Sequence, residues 1–250
     1  MLASLMQRFT PLEMLLIFIL CIAIPTLRLT RHLWGMRLKI NETIPRICLG
    51  FALLGVPLVL LAIDWPLAGR SAQALGVAVP IPVRGQIGFA IAVILIFALL
   101  IRSHRPWRKP DPQKTAAYRA RLADAGMLMR TPTELAAFFG LAILQGCGGE
   151  ILFRGLLLWA LVPLLGPAGA VVMAATAASL GQGNRTWARV LVSMLTAYAF
   201  CIAYAVTHSL WWLMLFRTFA MSHDAWRGYR LSRNPQTSLE EIALAQRDRL

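Results

Sequence analysis

The sequence predicts an all-α protein, a polytopic bundle of about seven transmembrane helices. Hydrophobic residues make up 58% of the chain, charged residues only 14%, and long apolar runs recur over nearly all of its 250 residues. A helix needs about 20 apolar residues to cross a bilayer, and several of these runs reach or approach that length. A transmembrane barrel would show short alternating segments instead.

Seven apolar runs define the predicted spans: 11–27, 45–63, 86–101, 133–162, 167–182, 190–206 and 209–222. The first three form an N-terminal region, 1–102, and the other four form a core region, 131–222. The first run lacks a basic start and a small-residue cleavage site, so we expect it to remain as an anchor.

The later runs carry local signals of their own. Thr131-Pro132-Thr133-Glu134 supplies an N-cap, a proline at the first helical position and a glutamate at the third, which predicts a helix start. The fifth run is rich in alanine and glycine, which is typical of a tightly packed central helix. Two soluble pieces remain: a basic loop at 103–130, with a short helix ending near Met127, and a tail at 223–250, with an amphipathic helix from Ser238.

The basic residues predict the orientation and argue against nucleic-acid binding. Twenty of the 25 lysines and arginines lie in the connections 28–46, 102–130 and 183–189 and in the tail, whereas the opposite side has three. This asymmetry follows the positive-inside rule and puts the N-terminus outside and the C-terminus in the cytoplasm. We therefore interpret the net charge of +14 as a topology signal and expect the lipid bilayer, not nucleic acid, as the partner of these residues.

Polar side chains within or beside the predicted spans include Gln145, Glu150, Arg154, Ser179, Gln182, His208 and Arg217. Glu150 and Arg154 are four residues apart and share one helix face, so they can pair. Charged residues at membrane depth are costly and are usually paired or functional. The spacing alone leaves two interpretations open. The two residues form a structural ion pair, or they are functional, with Glu150 as a base or with both residues holding a polar substrate.

Other polar residues have simpler interpretations. His208 is predicted at the outer end of the sixth span, next to Trp211 and Trp212, which is typical of an interfacial aromatic belt. One intramembrane glutamate and one distant histidine do not form a ligand set, so no metal and no cofactor is predicted.

The segment from Thr131 to the Glu150-Ile-Leu-Phe-Arg154-Gly motif resembles the first motif of CPBP-type intramembrane proteases, the CAAX-protease and bacteriocin-processing group. The resemblance covers about 115–225. It implies a helical membrane fold and intramembrane endopeptidase activity. In that family a Glu-Glu pair opens the first motif, two later helices each supply a histidine, and an Asn or Asp follows the second histidine.

This chain departs from that pattern at each catalytic position. The first glutamate is Gly149, and only Glu150 and Arg154 remain. The second motif falls on Ser179, or in a shifted alignment on Asn184, and the third on Arg217 and Met221. Using His208 as the motif histidine would lose the preceding turn, so we reject that alignment.

Three hypotheses follow. The leading one is a catalytically degenerate CPBP-like protein that binds or assembles another integral membrane protein, with Arg217 pairing with Glu150 as a plug. The second is an active peptidase with a non-standard site on Glu150, although two nearby guanidinium groups would weaken that base. The third is a binder of an anionic lipid or small acid. The resemblance and the charge asymmetry indicate a bacterial inner membrane.

Overall fold

The computed structural model describes residues 8–27, 43–108, 117–120, 122, 127–181 and 187–233, and they form helices and connecting turns with no β-strand among them. The main helices are α1 (Pro11–Leu27), α2 (Thr43–Leu67), α3 (Val83–Arg108), α4 (Pro132–Leu180), α5 (Trp187–Thr207) and α6 (Trp211–Ser232). A 3₁₀ turn, Ala72–Leu75, lies between α2 and α3. The predicted all-α class is confirmed.

Among the described residues, four helices are long and apolar enough to cross a membrane: Ile47–Leu67, Val83–Ser103, Pro132–Leu180 and Val190–Thr207. Pro11–Leu27 is apolar but shorter. The seventh predicted span, 209–222, overlaps α6 from Trp211 onward, and the apolar sequence of this helix is interrupted by Arg217, Asp224 and Arg227. The structure thus supports a polytopic helical bundle, and seven crossings stay a prediction.

Helix α4 is too long for one crossing and is broken at Gly166. Its 49 residues exceed the roughly 20 that a bilayer requires. Gly166 has φ 69° and ψ 170°, which lies outside the helical region, and Pro163 and Pro167 flank it. Only glycine adopts such a backbone conformation without strain. This break separates the fourth and fifth predicted spans, 133–162 and 167–182.

The predicted start of α4 is confirmed. The Thr131 side chain accepts a hydrogen bond from the Glu134 amide, and the Glu134 side chain accepts one from the Thr131 amide, which completes a capping box. The same arrangement, Thr10 with Glu13, begins α1. The predicted helix from Ser238 lies outside the described residues, as do residues 109–116, 121 and 123–126 of the basic loop.

Helix α6 lies inside the bundle and packs against α3 and the first half of α4. Most of its side chains are buried or half-buried, with Trp211 and Trp226 among the exceptions. This position explains how a helix of modest apolar character is held, because polar groups such as Arg217 contact a neighbouring helix.

One apolar core joins the N-terminal helices to the later ones. It contains Leu16 and Leu20 of α1 together with Leu152 and Leu156 of α4 and Leu213 of α6, all with at most 2% exposure. Five of the six alanines in the second half of α4 are also buried, and this half packs closely against α5. The predicted tight packing of the fifth span is therefore present.

A second apolar cluster lies around the start of α4 and the end of α6. It joins Met129, Phe138, Ala225 and Tyr229, with Met221 packed against it. The Ser232 hydroxyl also donates a hydrogen bond of 2.6 Å to the Met129 carbonyl. These contacts fix the direction of α6 relative to α4, and hence the position of Arg217 along α4.

Candidate functional site

The backbone around Glu150 is wider than an ordinary α-helix. Two π-helical segments, Leu144–Gly148 and Ile151–Leu156, lie on either side of Gly149 and Glu150. Such segments are rare and occur frequently at functional sites because they change the direction of the side chains within a helix. The glycines before Glu150 allow this opening of the backbone as well as close packing.

Glu150 is paired with two arginines. Its Oε1 atom accepts a hydrogen bond of 2.9 Å from Nη1 of Arg154 and another of 2.9 Å from Nη1 of Arg217. The side chains of Glu150 and Arg154 are 0% and 1% exposed, and that of Arg217 is 22% exposed. We call these three residues the Glu150 cluster. The sequence predicted both pairings, and Arg217 lies against Glu150 instead of extending to the membrane interface.

The surroundings of Arg154 are apolar. Its guanidinium carbon lies 5.5 Å from the centroid of the Phe200 ring, and the buried side chain of Cys201 is next to it. Both residues come from α5. Helices α4, α5 and α6 therefore meet at the Glu150 cluster, and each contributes at least one side chain.

Several polar atoms in this region have no hydrogen-bond partner within the described part of the chain: Glu150 Oε2, Arg154 Nε and Thr218 Oγ1. A buried polar atom without a partner costs about 1–3 kcal/mol. The Glu150 cluster also has two positive charges and one negative charge. The cluster is thus neither fully hydrogen-bonded nor electrically neutral.

Helices α4 and α6 are in close contact at Gly146. A Cβ added there would lie 1.9 Å from Thr218 Oγ1 and 2.9 Å from Thr218 Cα, so no larger residue fits without a shift of the backbone. This contact places Arg217, the neighbour of Thr218, beside the turn of α4 that carries Glu150.

Gly149 has a different environment, although it is also buried. A Cβ added to Gly149 would meet no atom within 4 Å. Gly149 holds the position that the family resemblance gives to the first glutamate, and the structure leaves open space there. A larger side chain at this position would therefore meet no immediate steric barrier.

The other predicted site positions are not joined to the Glu150 cluster. Ser179 is fully buried and donates a hydrogen bond of 3.4 Å to the Val190 carbonyl. Met221 belongs to the apolar contacts of the second cluster. Gln182 and the alternative motif residue Asn184 lie outside the described residues.

His208 lies in the turn between α5 and α6. Its side chain is exposed and its φ is 47°, a left-handed conformation that is uncommon for residues other than glycine. Its ring is 6.3 Å from that of Tyr204. These observations agree with a residue at the end of the bundle.

A second buried ion pair was missed from the sequence. Glu13 is 0% exposed, and Arg70 donates to both of its carboxylate oxygens, with 2.7 Å between Arg70 Nη2 and Glu13 Oε2. The guanidinium of Arg70 also lies 4.3 Å from the centroid of the Trp159 ring. The signal was available, because Thr10-Pro11-Leu12-Glu13 has the same helix-start pattern as residues 131–134.

No group of three or more His, Cys, Asp or Glu side chains placed to hold a metal ion occurs in the residues that the structure describes.

Part of the chain matches a known protein family. Residues 131–221 match the family described as Rce1-like, Type II CAAX prenyl endopeptidase Rce1-like. The chain is similar to this family over that segment. The predicted resemblance to CPBP-type proteases is thereby confirmed over this segment, which includes all three residues of the Glu150 cluster. Neither the curated proteins nor the solved structures compared with the chain gave a match.

Proposed function

We propose that this membrane protein has lost the peptidase chemistry of its Rce1-like domain and acts by binding, as an assembly or structural subunit for another integral membrane protein. One observation carries the proposal: the carboxylate of Glu150 is held by two guanidinium groups. One of them, Arg217, stands where the family resemblance expects a histidine.

Peptide-bond hydrolysis in a membrane needs a base that takes a proton from water, and donors that stabilise the oxyanion. Two guanidinium groups already donate to Oε1 of Glu150, so this oxygen is not free to take a proton from a water molecule. The positions of the other expected catalytic groups hold Gly149, Ser179 and Met221. Met221 has no proton to donate and only a weak acceptor.

The binding role rests on what the chain retains. The helices around the Glu150 cluster remain closely packed, as the contact of Gly146 with Thr218 illustrates. Ion pairs that join separate helices hold those helices in fixed positions. The surface that the helices present inside the membrane is therefore also fixed. Such a surface suits stable association with a second membrane protein, where helix contacts depend on shape and close packing.

The test is purification of the tagged full-length chain from its native membrane in a mild detergent, with every co-eluting protein identified. A stoichiometric integral membrane partner is the expected result. Glu150→Gln is the matched variant, because it removes the carboxylate charge and keeps the side-chain shape. The binding role is supported if a partner co-elutes and if the same protein fragments are found with the wild type and with Glu150→Gln.

One observation favours a second candidate, a peptidase with a non-standard site. Glu150 Oε2 has no partner within the described residues, and open space lies beside Gly149. This candidate predicts that shortened substrate fragments accumulate with the wild-type protein and disappear with Glu150→Gln at equal protein levels. That outcome would refute the loss of activity.

A further inference from the structure

The Glu150 cluster has an excess of one positive charge in apolar surroundings. Arg154 and Arg217 both bond to the same oxygen, Glu150 Oε1, and within the described residues neither guanidinium contacts a second carboxylate. An unbalanced charge at membrane depth is costly. A bound anion would balance it.

The two arginines differ in accessibility. Arg154 is 1% exposed and can receive nothing from outside the packed helices. Arg217 is 22% exposed, and its one hydrogen bond to a described residue uses Nη1. Guanidinium has five N–H donors in a planar fork, so most of those on Arg217 remain available.

The free edge of Arg217 defines the chemistry of the ligand. A planar pair of N–H donors matches two oxygens of a carboxylate or of a phosphate, and such bidentate pairs are stronger than single hydrogen bonds. Arginine is also less strongly hydrated than lysine, which favours ion pairing in a partly buried site. The open space beside Gly149 shows that the helix turn carrying Glu150 is not completely filled.

We propose that Arg217, with its charge only partly balanced by Glu150, binds a singly charged oxygen anion, either the phosphodiester of an anionic lipid or the carboxylate of a small acid. The site is independent of the proposed binding role, because it requires no protein partner. The ligand would occupy the Nε and Nη2 edge of Arg217 while Nη1 stays on Glu150.

The experiment uses the full-length protein in nanodiscs of neutral phosphatidylcholine. One series replaces part of this lipid with phosphatidylglycerol, and another adds sodium butyrate with sodium chloride as the salt control. Thermal unfolding and native mass spectrometry report binding. Stabilisation by phosphatidylglycerol alone would identify a lipid site, and stabilisation by butyrate alone would identify a small-acid site.

The variants separate Arg217 from general surface charge. Arg217→Leu should weaken binding about 10- to 100-fold, as expected for loss of a charge-assisted contact. Arg84→Leu, at an exposed arginine outside the cluster, should leave it unchanged. Glu150→Gln should strengthen anion binding, because it raises the net charge of the cluster from one to two.

Arg217→Lys addresses the possibility that the leucine variant fails to fold. It keeps the charge and loses the planar fork, so the expected result is a folded protein with weakened but measurable binding. Equal binding by wild type, Arg217→Lys and Glu150→Gln would overturn the proposal. So would an equal loss in the Arg84→Leu and Arg217→Leu variants, or no stabilisation by either anion.

Discussion

Nη1 of Arg217 donates to Oε1 of Glu150 over 2.9 Å, and the two residues are 67 positions apart in the chain. The contact joins α4 to α6 at the centre of the bundle. It therefore fixes the relative position of the two helices. It also holds the carboxylate of Glu150 in an ion pair.

Removal of the Glu150 carboxylate should destabilise the protein. Glu150→Ala leaves two arginine charges next to each other with no counter-charge, and breaking a buried ion pair in this way typically costs about 3–5 kcal/mol. We expect less folded protein in the membrane and a lower unfolding temperature in detergent. Arg217→Leu combined with Glu150→Ala should recover part of the loss, because the coupling between the two residues is removed with both partners. Normal accumulation and stability of Glu150→Ala would contradict the structural role of the pair.

Gly146 and Gly149 should respond in opposite ways to the same substitution. Gly146→Ala forces a Cβ against Thr218, and overpacking of this kind costs about 1–3 kcal/mol. Gly149→Ala meets open space, and alanine is favoured over glycine in a helix by about 1 kcal/mol, so stability should be unchanged or raised. Thermal unfolding of the two variants in the same detergent provides the measurement, and each is the other's control. A similar loss in both would show that the packing of α4 against α6 is not as described.

The second ion pair should be as important for stability as the first. Arg70→Ala leaves the fully buried Glu13 carboxylate without its bidentate partner, and we expect a loss of about 3–5 kcal/mol. Arg70→Lys should recover only part of it, because lysine lacks the planar group that lies over Trp159. Arg84→Ala is the matched control and should change the stability by less than about 0.5 kcal/mol. Chemical or thermal unfolding of the purified variants tests the order, and equal values for Arg70→Ala and Arg84→Ala would exclude a structural role for Arg70.

The predicted orientation can be measured directly. A fluorescent protein fused after Leu250 should be active in the cytoplasm, whereas a phosphatase that requires an oxidising compartment should be active when fused after Gly76. The reason is the distribution of basic residues, twenty on one predicted side and three on the other. The reverse pattern of activities would mean that the positive-inside rule fails for this chain.

Sequence reasoning predicted the helical class, the start of α4, the break between 162 and 167 and the pairing of Glu150 with Arg154 and Arg217. These features depend on local composition, on helix-start signals or on a charge imbalance within apolar runs. The pairing of Glu13 with Arg70 was not predicted, and the sequence pattern at Thr10–Glu13 indicates only a helix start. The burial of Glu13 depends on the loop after α2, whose path no local pattern specifies.

The environment of Gly149 and the π-helical segments could not be predicted either. A glycine in a helix is compatible with close packing, as at Gly146, or with open space, as at Gly149. The choice depends on which neighbouring helix lies opposite, and this is set by tertiary packing. The position of Ser179, away from the Glu150 cluster, is also set by tertiary packing.

The core shared by Leu16 and Leu20 of α1 with Leu152 and Leu156 of α4 has a practical consequence. Residue 131, where the family match begins, is a boundary in the sequence but not in the packing. Cutting the chain there would leave the face of α4 that normally packs against α1 in contact with lipid tails. It would also remove Arg70, whose guanidinium lies over Trp159. We therefore expect that residues 131–221 do not fold alone, and that studies of the Glu150 cluster require the helices that precede them.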